Sequence, residues 1–384
     1  MTAGFPQDLP QPAGVLSLYH QSRARRIALL TGLAIALVCA IVWASCSGTV
    51  AISPEDTLVV CITALRDAAY AVVPPLTALV PVTLPDPANP QAALIVLGFR
   101  FPRILLAVFT GISLAVAGTV MQGLLRNPLV SPFTLGLSSA ASFGAAVAIV
   151  IGPALLGTFA IGMGDDAFII LMAFLSGWLS MLLVYSIARS RGTSQSMLIL
   201  AGVVIGYIFQ AGVLAMKYFS TSERLRDLVV WLMGGMWGAS WGSVMIIAPI
   251  TLACACILEL KAWDLNALAS GDDVAKSLGI DTERLRLYGL MTATFAASCC
   301  LAFTGIIGFI GLMSPHICRM LIGNDHRYLI PCSALLGALI LLVSDTVART
   351  ILSPVELPVG IIMYLVGGAF FLFLILRGRG KGLY

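Results

Sequence analysis

Hydrophobic residues fall along this chain in ten blocks, most near twenty residues long, set apart by short polar stretches. They cover 27–47, 104–123, 133–152, 167–188, 197–216, 241–259, 287–303, 309–322, 329–349 and 359–376. Roughly 20 apolar residues suffice for a helix to cross the hydrocarbon core of a bilayer, so the pattern predicts ten transmembrane helices. The eighth block is short and follows the glycine-rich turn Gly305-Ile306-Ile307-Gly308; it is expected to be a half-span. An even number of spans puts both termini on one side. Placing them in the cytoplasm puts fifteen of the 22 Lys and Arg on that side, as the positive-inside bias requires.

Composition agrees with the pattern. Hydrophobic residues make up 59% of the 384 and charged residues only 10%, with a mean hydropathy of +0.99, against about 25% charged in soluble domains. The expected fold class is an all-α polytopic membrane protein. The net charge of +4 bears on orientation and not on nucleic acid. Most of the nine cysteines lie in or at the ends of apolar blocks without a C-x-x-C pair, and so read as small core residues. The first block ends in Ala44-Ser45-Cys46 after Arg23–Arg26, but it is long for a signal peptide and Trp43 fits a lipoprotein site poorly. The expected organisation is a polar cytoplasmic tail over 1–26, a ten-helix domain over 27–377 and a basic tail over 378–384. The domain includes a long proline-rich outer loop over 48–91, irregular apart from at most one short helix, and a polar cytoplasmic stretch over 263–286. No fixed-period repeat is visible.

No H-E-x-x-H, paired Cys/His cluster or Gly-x-Ser-x-Gly elbow occurs. Of the four lysines only Lys381 follows a glycine, with no Ser or Thr after it, so there is no phosphate-binding loop. An active transporter of this sequence must use an ion gradient or borrow an ATPase. Gradient-driven transport favours ionisable groups at mid-membrane, and Asp345 is the only acid well inside an apolar block. It stands four residues before Arg349, where the two can pair on one helix face.

Within 263–286 the run Gly271-Asp272-Asp273-Val274-Ala275-Lys276-Ser277-Leu278-Gly279 precedes Asp281-Thr282-Glu283-Arg284. Asp272 is expected to cap a short helix closed by Gly279, and Asp281 a second. Val274, Ala275 and Leu278 are expected to share a face small enough for a groove on another protein. The competing reading is a connector lying on the membrane surface. Other segments break the tie: Arg100-Phe101-Pro102-Arg103, Gln122-Gly123-Leu124-Leu125-Arg126-Asn127-Pro128-Leu129, Gly305 to Leu312, Ser314-Pro315-His316 with Arg319, Asn324-Asp325-His326-Arg327, Asp345 to Arg349, and Glu356 to Gly360. This ordered set, over about 93–377, closely resembles the FecCD-type permeases of ABC importers for ferric siderophores, haem and cobalamin. The long outer loop and the N-terminal tail depart from the family's pattern.

The resemblance implies a ten-helix subunit of a homodimer in the inner membrane, with two cytoplasmic ATPase subunits and a periplasmic binding protein. ATP and Mg would sit on the ATPase subunits and no cofactor on this chain, which would not itself be an enzyme. By the same resemblance Asp272, Ala275, Lys276, Leu278 and Gly279 would couple to the ATPase. Asn127, Leu129, Gln195 and Ser196 would close the path to the cytoplasm, although 195 lacks the family's commonest side chain. Arg100, Arg103 and Arg349 would dock the binding protein through exposed ion pairs. Asn127-Pro128 also reads simply as a helix stop. His316 is expected to satisfy a local backbone acceptor and not to bind metal or haem, and Gly111, Gly118, Gly123, Gly136 and Gly144 read as close helix packing. The expected cargo is a bulky metal chelate, a ferric siderophore foremost, or haem or cobalamin. A molybdate-type oxyanion permease, a gradient-driven transporter and a membrane-embedded enzyme are the alternatives.

Overall fold

In hydrocarbon each backbone N–H and C=O must be satisfied within its own segment or against a neighbour, which favours helices. The computed structural model describes residues 12–48, 50, 52–72, 90–159, 164–190 and 194–377, and every regular element among them is helical. These are α1 (Pro12–Cys46), α2 (Pro54–Val72), α3 (Phe101–Leu124), α4 (Leu137–Phe159), α5 (Asp165–Ser190), α6 (Gln195–Phe219), α7 (Ser222–Met233) and α8 (Trp241–Glu259). Then come α9 (Ala262–Ala269), α10 (Asp272–Ser277), α11 (Thr282–Thr304), α12 (Ile310–Ile322), α13 (His326–Thr350) and α14 (Val359–Arg377). Among the described residues nine helices are long and apolar enough to span a membrane, and α12, the expected half-span, has 13 residues. The chain is an all-α, polytopic membrane protein.

Several boundaries differ from the hydropathy reading. The second span begins early, because a π-helical stretch Leu94–Arg100 runs directly into α3. The third begins late, because turns over 125–136 end at Gly136, whose φ is 84°. The outer loop carries a 19-residue helix, α2, where a short one was expected; its residues 73–89 lie outside the described residues. Helix α1 starts at Pro12, inside the expected polar tail, while 1–11 and the basic tail 378–384 lie outside the described residues.

Helix α3 is buried over most of its length and packs on α8, α11, α12 and α13. Glycines set how close these helices come. A Cβ on Gly118 would lie 1.9 Å from the Gly311 carbonyl oxygen of α12, and one on Gly111 2.5 Å from the Gly337 carbonyl oxygen of α13. Between helices in lipid, where burying apolar surface gains little, such backbone approach supplies the dispersion energy of association.

We call the end of the bundle that the charge bias assigns to the outside the outer end, and the opposite one the inner end. At the outer end Arg103 of α3 grips Asp345 of α13 with two bonds of 3.0 Å and reaches Glu356 at 2.6 Å. The expected Asp345–Arg349 pair is therefore not formed. Asp345 faces α3, and Arg349 instead donates to the Ala44 carbonyl at the end of α1. Arg100 donates to the carbonyls of Ser45, Cys46 and Val50. These arginines tie the end of α1 and the start of the outer loop to the α3–α13 core.

The packing predicts that Gly118→Ala, which must push two backbones apart, costs on the order of 1–3 kcal/mol or more. Gly32 of α1 has nothing within 4 Å of its added carbon, so Gly32→Ala should be tolerated. Thermal unfolding midpoints in one detergent check this: Gly118→Ala should fall well below the unmutated protein and Gly32→Ala should match it.

Candidate functional site

Two short helices, α9 and α10, join α8 to α11 at the inner end. Gly271 and Gly279, with φ of 127° and 81°, open and close α10 in conformations that favour glycine. Closure is completed by the amides of Gly279 and Ile280, which donate to the carbonyls of Lys276 and Ala275 at 2.9 and 3.0 Å. Asp281 caps α11 as expected, accepting from the Arg284 amide at 3.1 Å.

Asp272 does not cap α10; the N-cap position is Gly271. Its carboxylate is instead held by Arg286 of α11 at 2.8 Å and by Arg126, just beyond α3, at 3.1 Å. Arg286 is buried, and its Nε donates to the Leu124 carbonyl at the end of α3 at 3.3 Å. Gln195, with its amide oxygen turned toward the two guanidiniums, accepts from Arg126 Nε at 2.7 Å and from Arg286 Nη2 at 3.1 Å. Arg126 has a φ of 43°, rare for a side-chain-bearing residue. Its contacts with Asp272 and Gln195 offset the cost of that conformation.

The loop after Arg126 carries Asn127 and Leu129. The Asn127 side-chain oxygen accepts from the Leu129 amide at 2.9 Å, and its own amide donates to the Gln122 carbonyl at 3.2 Å. That is the helix stop read from Asn127-Pro128, and it leaves Leu129 exposed. Ser196 is exposed at the start of α6. The structure thus joins Asp272, Gln195 and the 126–129 turn through Arg126 and Arg286, neither of which the sequence marks as a site residue.

The expected shared face of α10 is split. Leu278 is 67% exposed, and Val274 and Lys276 are also exposed, but Ala275 is fully buried. Positions 274 and 278 are four apart and lie on one side, while 275 is turned about 100° away into the core. The surface offered to a partner therefore excludes Ala275. At the outer end Arg100, Arg103, Arg349 and Glu356 line a cavity of about 310 Å³. Arg100 and Arg349 are only 4% exposed, so the expected exposed ion pairs are replaced by guanidiniums turned inward. His316 also departs from expectation, since neither of its ring nitrogens has a hydrogen-bond partner.

Residues 33–377 match the FecCD transport family. The chain belongs to that family. The hemin transport permease of Yersinia pestis is 39% identical over 74% of this chain and 83% of its own. The ferric citrate import permease of Bacillus subtilis is 37% identical over 72% and 80%. A structure described as an inward-facing transporter of metal-chelate ABC type superposes with a TM-score of 0.74 at 30% identity, covering 91% of this chain and 99% of that one. The protein is a permease subunit of an ABC importer, and its family works with ATPase and substrate-binding partners.

In this permease a second cluster fixes α9 to the bundle. Asn266 of α9 accepts from the His326 amide and faces His326 Nδ1, both at 2.8 Å, and donates to Asp325 at 2.8 Å. Asp325 also receives Arg327 at 2.6 Å and Arg26 of α1 at 3.1 Å, and the Arg327 guanidinium stacks 4.0 Å from the Trp263 ring centre. The bonds from Arg327, with that from Asn266 and against the opposing effect of burial, pull the Asp325 carboxyl from its ordinary 3.8 down to about 2.

Because the folded value lies below the unfolded one, Asp325 contributes stability that is full above about pH 4 and lost as pH falls toward 2. The gap in unfolding midpoint between the unmutated permease and Asp325→Asn should be widest above pH 4 and close toward pH 2. A gap of constant size across that range contradicts the assignment.

Proposed function

We propose that this permease works as a homodimer in the inner membrane and imports a metal chelate, a ferric siderophore foremost, with haem and cobalamin as close alternatives. Two ATPase subunits would bind at the inner end and a binding protein at the outer end. ATP and Mg belong to the ATPase subunits, and this chain supplies no catalytic group. The names of its relatives support the cargo class. A molybdate import permease of Haemophilus influenzae is 35% identical over 78% of the chain, which keeps an oxyanion as the second reading.

The observation that carries the mechanism is the clamp on Asp272 by Arg126 and Arg286. Leu278 and Val274 offer an apolar surface to a groove on the ATPase, with Lys276 at its edge and Gly279 setting the turn. When that groove moves, α10 moves with it. Charge-assisted bonds of roughly 1.5–3 kcal/mol each carry the displacement from Asp272 to Arg126. The next residues in the chain are Asn127 and Leu129, and Gln195 is held by the same guanidiniums with Ser196 beside it. Coupling helix and inner gate therefore share one set of bonds. At the outer end the cavity lined by Arg100, Arg103 and Arg349 carries three guanidiniums against Asp345 and Glu356, and Arg349 Nε has no hydrogen-bond partner among the described residues. A carboxylate from the binding protein would enter this cavity, where burial strengthens the bond relative to a rim ion pair.

Reconstitution in liposomes with the ATPase subunits and the binding protein tests the reading. Uptake of a ferric siderophore should require ATP. Asp272→Ala should still assemble and hydrolyse ATP, yet import at least tenfold more slowly. Unimpaired uptake by Asp272→Ala would remove the clamp from the mechanism. Uptake that follows an ion gradient without ATP would remove the importer reading itself.

A further inference from the structure

Beside the inner end of α3 lies a cavity of about 420 Å³ walled by Gln122 and Gly123 of α3, His316 and Arg319 of α12, His326 of α13 and Leu374 of α14. Asn127 and Leu129 also line it. Of the polar groups on its lining, the Asp272 clamp uses only Arg126. His326 is only 3% exposed, and its Nε2 has no hydrogen-bond partner. The same is true of Nη1 of Arg319 and of both ring nitrogens of His316. An unpaired buried polar group costs about 1–3 kcal/mol. Four such nitrogens around one cavity point to a ligand that completes them.

The neighbouring bonds fix the sign of that ligand. Asn266 directs its nitrogen at Asp325, so its oxygen faces His326 Nδ1 and that nitrogen must carry the hydrogen. Arg319 Nη2 is committed to the Gln122 side-chain oxygen at 2.8 Å, which leaves Nη1 free to donate. The lining contains two guanidiniums, Arg126 and Arg319, and no Asp or Glu. Asp325, the nearest carboxylate in sequence, is already held by Arg26, Arg327 and Asn266. Arg126 is paired with Asp272, so among the described residues the lining guanidinium without a carboxylate partner is that of Arg319, and its charge repels a metal ion and attracts an anion. The volume is in the range of small-molecule sites, and the apolar wall of Phe371 and Leu374 suits the carbon part of an organic acid.

We propose that this cavity is an anion subsite beside the inner gate, which takes one carboxylate or phosphate group on Arg319, His316 and His326. Nη1 of Arg319 donates first. One nitrogen of the neutral His316 ring donates next, and His326 Nε2, whose ring already carries its hydrogen on Nδ1, donates only when the anion brings a proton with it. The group can come from an acidic cargo leaving the gate or from free phosphate. Only the first source rests on the proposed transport function, so binding and transport can fail separately.

The test is equilibrium binding of radiolabelled inorganic phosphate and of radiolabelled metal-free citrate to the full chain in detergent, without ATPase or binding protein. Saturable binding of either probe should weaken at least tenfold in Arg319→Gln. Because that change also removes the bond to Gln122, a second variant is made on the cavity wall. Ile375 is 68% exposed and lines the same cavity. Ile375→Glu should repel the anion with a comparable loss while the protein elutes as the unmutated one does, and Ile375→Gln should stay within about twofold. Preference for citrate assigns the subsite to an acidic cargo, and preference for phosphate assigns it to the free anion; both support the site. Absence of saturable binding by both probes, or equal binding in Arg319→Gln and Ile375→Glu, overturns it.

Discussion

Helix α3 can reach α12 and α13 at backbone distance only because glycines leave the room, and the rest of the molecule is arranged around that approach. A methyl group on Gly118 would already collide with the Gly311 carbonyl. With α3 so placed, its outer end delivers Arg103 to Asp345, and its inner end delivers Arg126 to Asp272. One rigid helix thus runs from the arginine cavity on one side to the coupling segment on the other. Packing of this kind transmits displacement because a close-packed interior resists compression.

Few charges occur in this chain, and those near the core are used twice over. Arg286 supports the end of α3 through the Leu124 carbonyl with its Nε and holds Asp272 with its Nη2. Asp325 collects bonds from α1, α9 and α13, so α9 is braced against the bundle at Asn266, while α10 is bounded by the positive-φ glycines Gly271 and Gly279. Breaking a buried pair by removing one partner leaves a charge stranded. These clusters therefore hold specific geometry as well as contributing stability.

Much of this was legible in the sequence, for identifiable reasons. The all-helical, membrane-spanning character follows from blocks of apolar residues near twenty long, with nine helices of spanning length among the described residues, and the capping of α11 by Asp281 follows from side-chain chemistry local to the chain. The glycines were read as packing positions, and the contacts of Gly111 and Gly118 are of that kind. What failed was long-range. Asp345 and Arg349 are spaced to pair on a helix, but Arg103, 242 residues away in sequence, competes with better bidentate geometry. Asp272 looks like a cap in a one-dimensional reading, because nothing local shows that Arg126 and Arg286 converge on it. Of the three residues expected on one face of α10, Val274 and Leu278 do lie together on the surface, and only Ala275 is turned into the core. His316 reads in sequence as satisfied by a backbone acceptor, and the fold instead sets it on the lining of a cavity.

The central claim is that α10 and the Asn127–Leu129 turn move as one body through Asp272. It is tested most directly by pulsed electron-spin distances across the dimer between labels at Leu129→Cys, with the native cysteines replaced and the ATPase subunits bound. The account predicts that nucleotide binding shifts this distance in the otherwise unmutated permease and leaves it unshifted in Asp272→Ala, although both complexes bind nucleotide equally. The same shift in both proteins would contradict it.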